Sequence, residues 1–217
     1  MPRTLLFDLD GTLVDTVPDL TAALNRLMRA RGLAAFTRPE VAAMVGDGVA
    51  VLVARAFAVR GVAGDAGAVD ELTADYTAHV AVESVLYPGV LSVLGGLAGD
   101  GWRLAVCTNK PERAAGALLE ALGVRGLLCA VGGGDSFAVR KPDPGHLLGT
   151  LSRAGGRAEA AVMVGDHHND VLAGRAAGVP AIFAAWGYGA PGMAEGSAAV
   201  ARDIAEAAVI AGRLVPG

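Results

Sequence analysis

Apolar residues fall into two patterns along the chain. Short runs end abruptly in polar residues or glycine: 4–7 into Asp8, 104–107 into Thr108, 161–164 into Gly165-Asp166 and 181–185 into Trp186-Gly187. A weaker fifth, 129–131, runs into three glycines. Runs that do not alternate apolar with polar predict strands covered on both faces. Helical segments separate them. Residues 111–122 follow Asn109, read as an N-cap with Glu112 at the third helical position, and stop at Gly123. Residues 144–154 follow Asp143 as cap, with Pro144 at the first helical position. This order predicts an α/β fold with a doubly wound, Rossmann-like parallel sheet. Chemistry in such sheets gathers at the carboxyl ends of the strands, where Asp8, Thr108 and Asp166 fall.

Residues 16–86 read as helical throughout. Leu20, Leu24, Leu27 and Met28 form one stripe; Val49, Leu52, Val53, Ala56 and Phe57 form a second; Val69, Leu72, Tyr76 and Val80 form a third. Thr37-Arg38-Pro39-Glu40 has the form of a capping box. The expected division is an all-helical insert over 16–86, set into a core formed by 1–15 and 87–217. Residues 198–214 read as a terminal helix.

Composition narrows the class. With 217 residues, the chain suits one core domain carrying a smaller insert. A net charge of −4 argues against nucleic-acid or anionic-membrane partners, and 53% hydrophobic residues exclude a disordered chain. The longest uncharged stretch, 176–194, contains Pro180, Pro191 and four glycines, so no membrane span is expected. The N-terminal run meets Asp8 too soon for a secretion signal. Cys107 and Cys129 form no CxxC pair, which fits a reducing, cytoplasmic setting. Monomer and dimer both stay open.

The candidate chemistry is acidic. Asp8 and Asp10, spaced i and i+2 at the end of a buried strand, project to the same side, and Gly11 lets the chain turn away. Alone, they read equally as acids capping a turn. A second group changes that balance: Asp166 ends another strand and Asp170 follows near a helix start. Carboxylates converging at adjacent strand ends repel one another without a cation, and all-oxygen ligation suits Mg²⁺ better than a metal held by His167 or His168. Thr108 and the amides after it can donate to phosphate oxygens. Lys141, held between Arg140 and Pro142 before a helix, can reach a phosphate or offset the acids. Taken singly, Thr108 reads as a cap and Lys141 as a solvated lysine. Their combination and order carry the weight.

These segments resemble the motifs of the haloacid dehalogenase superfamily of phosphohydrolases: residues 8–15, Cys107-Thr108-Asn109, Lys141-Pro142-Asp143-Pro144, and Gly165-Asp166 with Asp170. The resemblance covers essentially the whole chain and implies that 16–86 is a helical cap. Asp10 implies a phosphatase or mutase, because the dehalogenase branch lacks an acid there. The phosphonate-cleaving branch has a reactive cap lysine, and 16–86 contains no lysine. Softer signals, among them 15–20, 45–49 with Arg55, 87–90 and 186–189, are similar to bacterial phosphoglycolate phosphatases. One departure is His167, where the family more often has Ser.

The resemblance implies Asp8 as nucleophile and Asp10 as acid and then base. Mg²⁺ would be held by Asp8, the Asp10 carbonyl and Asp166, with Thr108 and Lys141 on the phosphoryl oxygens and Asp170 and Asn109 behind them. Gly46, Asp47, Gly48 and Arg55 are expected to meet the substrate from the cap. For Arg55 the plainer reading, a solvated helix-face arginine, weighs slightly more than the substrate contact. The expected reaction is hydrolysis of a small anionic phosphoester, foremost 2-phosphoglycolate. The rivals are a sugar phosphate, a nucleotide or pyrophosphate, a phosphomutase that releases no net phosphate, and a non-catalytic phosphate-binding module.

Overall fold

The computed structural model describes residues 2–216. Met1 and Gly217, the outer bounds expected for the core, lie outside them. From the N-terminal side, β1 (Thr4–Phe7) and a two-residue β2 (Val14–Asp15) lead into α1 (Val17–Ala30), α2 (Arg38–Ala42), α3 (Val49–Val59) and α4 (Ala68–Ala78). A short β3 (Val85–Leu86) returns the chain to α5 (Val90–Gly99), β4 (Arg103–Cys107), α6 (Glu112–Ala121) and β5 (Ala130–Gly132). The remainder runs α7 (Pro144–Arg153), β6 (Ala161–Gly165), α8 (His168–Ala177), β7 (Ala181–Ala184), β8 (Ala199–Ala201) and α9 (Ile204–Leu214).

The six-stranded sheet has the order β5-β4-β1-β6-β7-β8, and every pairing is parallel. Its strands are apolar without alternation because both faces are covered. In β1, Leu5 and Phe7 pack with Val90, Leu94, Leu118 and Ile204 of α5, α6 and α9, while Leu6 packs with Leu147, Leu151 and Val171 of α7 and α8. Phe7 is in register with Val106 of β4 and Val164 of β6. Asp8, Thr108 and Asp166, each one or two residues further on, therefore emerge at one sheet edge.

Helices α1 to α4 build a separate apolar cluster around Leu24, Met28, Leu52, Phe57 and Leu72. The predicted stripes of all three longer helices meet in it. Glu40 accepts a 2.7 Å hydrogen bond from the Thr37 amide, the backward half of the expected capping box. The chain passes to and from this helical unit side by side. β2 pairs antiparallel with β3, Val14 opposite Leu86 and Asp15 opposite Val85. Asp19 in the first turn of α1 accepts the amides of Val82, Glu83 and Ser84 at 2.9–3.0 Å and the Ser84 hydroxyl at 2.6 Å. Burial works to raise its pKa, but these bonds outweigh burial and hold the carboxyl below its usual range.

Three local expectations need correction. Asn109 is not a helix cap: Pro111 is extended (φ −53°, ψ 137°), α6 starts at Glu112, and the Glu112 amide is satisfied by Asp135 Oδ1 at 2.7 Å. Residues 85–86 leave the helical stretch to form β3, because only an extended chain can pair with β2. Residues 198–214 are not one helix. Ala199–Ala201 extends the sheet beside β7, and α9 begins after Asp203, whose side chain accepts the Glu206 amide at 2.8 Å. Among the described residues, no helix is long and apolar enough to cross a membrane.

Candidate active site

The carboxyl ends of β1 and β6 and the N-terminus of α8 bring Asp8, Asp166 and Asp170 together, each with a carboxylate oxygen within 4.8 Å of the others, and all three are buried. Asp166 is held on both oxygens, by the Thr12 hydroxyl at 3.0 Å and the Tyr188 amide at 2.8 Å. Burial, then the neighbouring charges of Asp8 and Asp170, push its pKa up to about 7. Gly11 turns the chain away at φ +80°, and a Cβ there would run into the Asp166 carboxylate. These hard oxygen donors fit a divalent cation such as Mg²⁺, whose charge would relieve the repulsion that raises Asp166.

Lys141 is 2% exposed, with Nζ 2.6 Å from Asp170 Oδ1 and 3.1 Å from Asp8 Oδ1. Burial works against its charge, but Asp170 and Asp8 outweigh burial and raise its pKa. Asp170 in turn is pushed up to about 7, by burial first, with Lys141 opposing. Its second oxygen accepts the His167 amide at 3.1 Å, so Asp170 is pinned and steers the ammonium toward Asp8. Behind Lys141 lies fully buried His146. Its Nδ1 accepts the Lys141 amide at 3.3 Å, and its Nε2 lies 2.9 Å from the Gly133 carbonyl oxygen. Burial, then the Lys141 charge, hold the His146 pKa down to about 4.

A cleft opens above this floor, between the sheet edge and the helical unit. Asp8, Asp10, Thr108, Asn109 and Lys110 line one side; Leu20, Val45, Gly46, Gly48, Val49, Leu52, Leu72 and Tyr76 line the other. Asp10 is paired with Lys110, whose Nζ lies 2.9 and 3.3 Å from its two carboxylate oxygens. Asn109 donates across the seam to the Gly46 carbonyl at 3.0 Å and to the Lys141 carbonyl at 3.0 Å.

The loop 46–48 lies directly against the core. A Cβ on Gly46 (φ +121°) would sit 2.6 Å from the His167 ring, so only glycine permits this approach. Asp47 accepts from the Asn169 side chain at 2.7 Å and from Arg55 at 2.5 Å. Arg55, 3.0 Å from the Met44 carbonyl as well, braces this loop and does not line the cleft. Asp47, His167 and His168 also offer atoms within 4.8 Å of one another. Asp47 is already engaged, and His167 Nδ1 accepts the Asn169 amide at 3.3 Å. Burial, then His168, push the His167 pKa down to about 4.

A family model described as haloacid dehalogenase-like hydrolase matches residues 2–178. The chain belongs to this family. A phosphoglycolate phosphatase of Rhodospirillum rubrum is 45% identical over 214 residues, covering 94% of this chain and 89% of its own. One from Agrobacterium fabrum is 46% identical over 187 residues, covering 84% and 80%. A crystal structure of a predicted phosphoglycolate phosphatase from Haemophilus somnus superposes with a TM-score of 0.88 at 28% identity, covering 96% and 97%. This haloacid dehalogenase-like hydrolase is a phosphatase.

Reading the sequence did not single out Lys110, Thr12, Tyr188 or His146 for the site. Lys110 carried a usable signal. The chain contains two lysines, Lys110 and Lys141, against sixteen arginines, and both lysines are buried here. A protein that uses arginine for its other cations has placed its only compact ammonium groups at the floor and side of one cleft.

Proposed function

We propose that the enzyme is a Mg²⁺-dependent phosphomonoesterase whose foremost substrate is 2-phosphoglycolate, with residues 16–86 acting as a cap over the site. The observation that carries this reading is Asp8 paired with buried Lys141 at the base of a cleft that Asp10 also faces. The names of the Rhodospirillum rubrum and Agrobacterium fabrum relatives support the substrate. The separate apolar cluster of α1 to α4, and the paired strands where the unit joins the core, support the cap.

Asp8 attacks phosphorus in line. Its Oδ–P bond forms as the bond to the leaving oxygen breaks, giving an aspartyl-phosphate. Asp10 gives its proton to the leaving oxygen, then takes one from the water that attacks phosphorus, and the Asp8–P bond breaks to release phosphate. Lys141 and Thr108 hold the non-bridging oxygens as charge shifts. Asp170 keeps Lys141 aimed at Asp8, and Asn109 ties the Gly46 loop to the loop carrying Lys141. Asp8, Asp166 and the Asp10 carbonyl would hold Mg²⁺, which when bound neutralises charge on the transferring phosphoryl group. Gly46 and Gly48 line the cleft from the cap side, with Arg55 bracing their loop through Asp47.

Initial rates of phosphate release over a panel of phosphoesters and pyrophosphate, with and without Mg²⁺, test the reading. The expected result is Mg²⁺-dependent release led by 2-phosphoglycolate. A profile led by a sugar phosphate would replace the substrate and leave the chemistry, and no release from any compound would overturn both.

A further inference from the structure

Outside the catalytic carboxylates and Lys141, the cleft presents two polar groups that the proposed chemistry does not use, and they face each other across the seam. Lys110 comes from the loop after β4 in the core. Its Nζ lies 4.0 Å from the ring centroid of Tyr76, which comes from α4 of the helical unit. Lys110 is 7% exposed, and among the described residues it is the only cation lining this cleft. Tyr76 is 4% exposed and also lines the cleft, and its hydroxyl is buried without a hydrogen-bond partner among the described residues.

The Tyr76 hydroxyl has Lys110 as its polar neighbour but no partner at normal hydrogen-bond distance, which leaves its bonding capacity open to a ligand. An ammonium has three N–H donors; Asp10 and the Tyr76 ring take two sides of this one, and the group still lines the cleft. The surrounding wall is apolar: Leu20, Val49, Leu52 and Leu72. An anionic group entering there loses its water and finds one cation and one hydroxyl donor. Arg55, the other candidate, is turned to Asp47 and the Met44 carbonyl. Lys141 is committed to Asp8 and Asp170.

We propose that Lys110 and Tyr76 form the subsite for the second anionic group of the substrate, the carboxylate, beside the reacting phosphoryl group. This rests on the phosphomonoesterase reading and gives its specificity a physical source. Each half of the subsite belongs to a different unit. The carboxylate is therefore gripped only when core and helical unit stand in this relation, which makes recognition a property of the seam. Lys110 and Tyr76 act here as specificity residues, not as groups that make or break the phosphorus bond.

The test compares 2-phosphoglycolate with ethyl phosphate, in which a methyl replaces the carboxylate. The wild type is expected to prefer 2-phosphoglycolate. Lys110→Met should lower kcat/KM for it by about 10- to 100-fold, mainly through KM, and Tyr76→Phe by about 3- to 10-fold. The loss on ethyl phosphate should be several-fold smaller in each variant, so the preference collapses. Equal losses on both substrates would overturn the proposal and leave Lys110 as a brace for Asp10. Equal wild-type rates on both would overturn it while leaving the phosphatase standing.

A second readout needs no turnover. Protein labelled with ¹³C at lysine Cε gives two signals, and Lys110→Arg identifies which is Lys110. Glycolate should shift that signal, and Tyr76→Phe should weaken the response. If the wild type releases no phosphate yet glycolate shifts Lys110, the phosphomonoesterase reading fails and the subsite stands. An unmoved Lys110 signal would overturn the subsite.

Discussion

The two sides of the cleft are built on opposite principles. The core side is dense with charge. Three carboxylates and Lys141 are buried within reach of one another, each held by a second partner, where strands fixed by a parallel ladder meet the loop before α7 and the first turn of α8. The helical side is mostly apolar, and its charged groups, Asp47 and Arg55, are spent on each other and on Asn169. Chemistry that moves charge needs preorganised charges on rigid elements. Recognition needs a wall of the right shape with few polar groups, which helices packed on their own apolar cluster supply. Under the proposed function, the contrast separates what the enzyme does to phosphorus from what it admits.

The largest expected effect tests the core side. Asp8→Asn should lower phosphate release by on the order of 10⁴-fold or more while circular dichroism reports an intact fold. Near wild-type turnover would remove the charged floor from the mechanism. Next comes the independence of the two clusters. Leu24 is fully buried among α1 to α4, and Leu24→Ala should cost about 2–5 kcal/mol in urea unfolding. Hydrogen exchange then sharpens the contrast. Faster exchange confined to α1 to α4 makes the helical unit a separate cooperative body; an equal rise in the sheet would dissolve the distinction.

The smallest effect concerns His146 beneath Lys141. With a pKa near 4 when folded against 6.5 for a free histidine, it refuses a proton that the unfolded chain accepts. Its stabilising contribution is complete above about pH 6.5 and fades as pH falls toward 4. Asp166 and Asp170, raised to about 7, slope the other way over the same range, so the difference between wild type and variant isolates the histidine. Between pH 7 and pH 5, the wild type should lose about 2 kcal/mol more than His146→Gln. Parallel pH profiles would show that His146 does not titrate out of its burial.

The sheet and the acidic floor were legible because each leaves a mark in contiguous residues. The runs at 5–7, 104–107, 161–164 and 181–184 are apolar throughout, and their register delivers Asp8, Thr108 and Asp166 to one edge. The missed features are made by partners distant in sequence. β2 and β3 are two residues each and exist only because they pair. β8 is three residues, half exposed, and its strand character comes from lying beside β7. Lys110 looks like any solvated lysine until Asp10, one hundred residues earlier, and Tyr76 close over it. Asn109 reads as a cap by position, yet its amide is claimed by the Gly46 and Lys141 carbonyls, an attachment that no local pattern encodes.

The adjacent crossings at β2 and β3 have a consequence for how such a molecule can change over time. Because Val14 faces Leu86 and Asp15 faces Val85, everything between them starts and finishes at one place on the core. Strand order, register and the acidic floor do not depend on how long that excursion is or what shape it takes. A duplication, deletion or wholesale exchange of the helices leaves the catalytic scaffold threaded as before. The join is thus a socket: under the proposed function, new substrate ranges can be tried by swapping the insert, while the machinery proposed to break the phosphate bond is inherited intact.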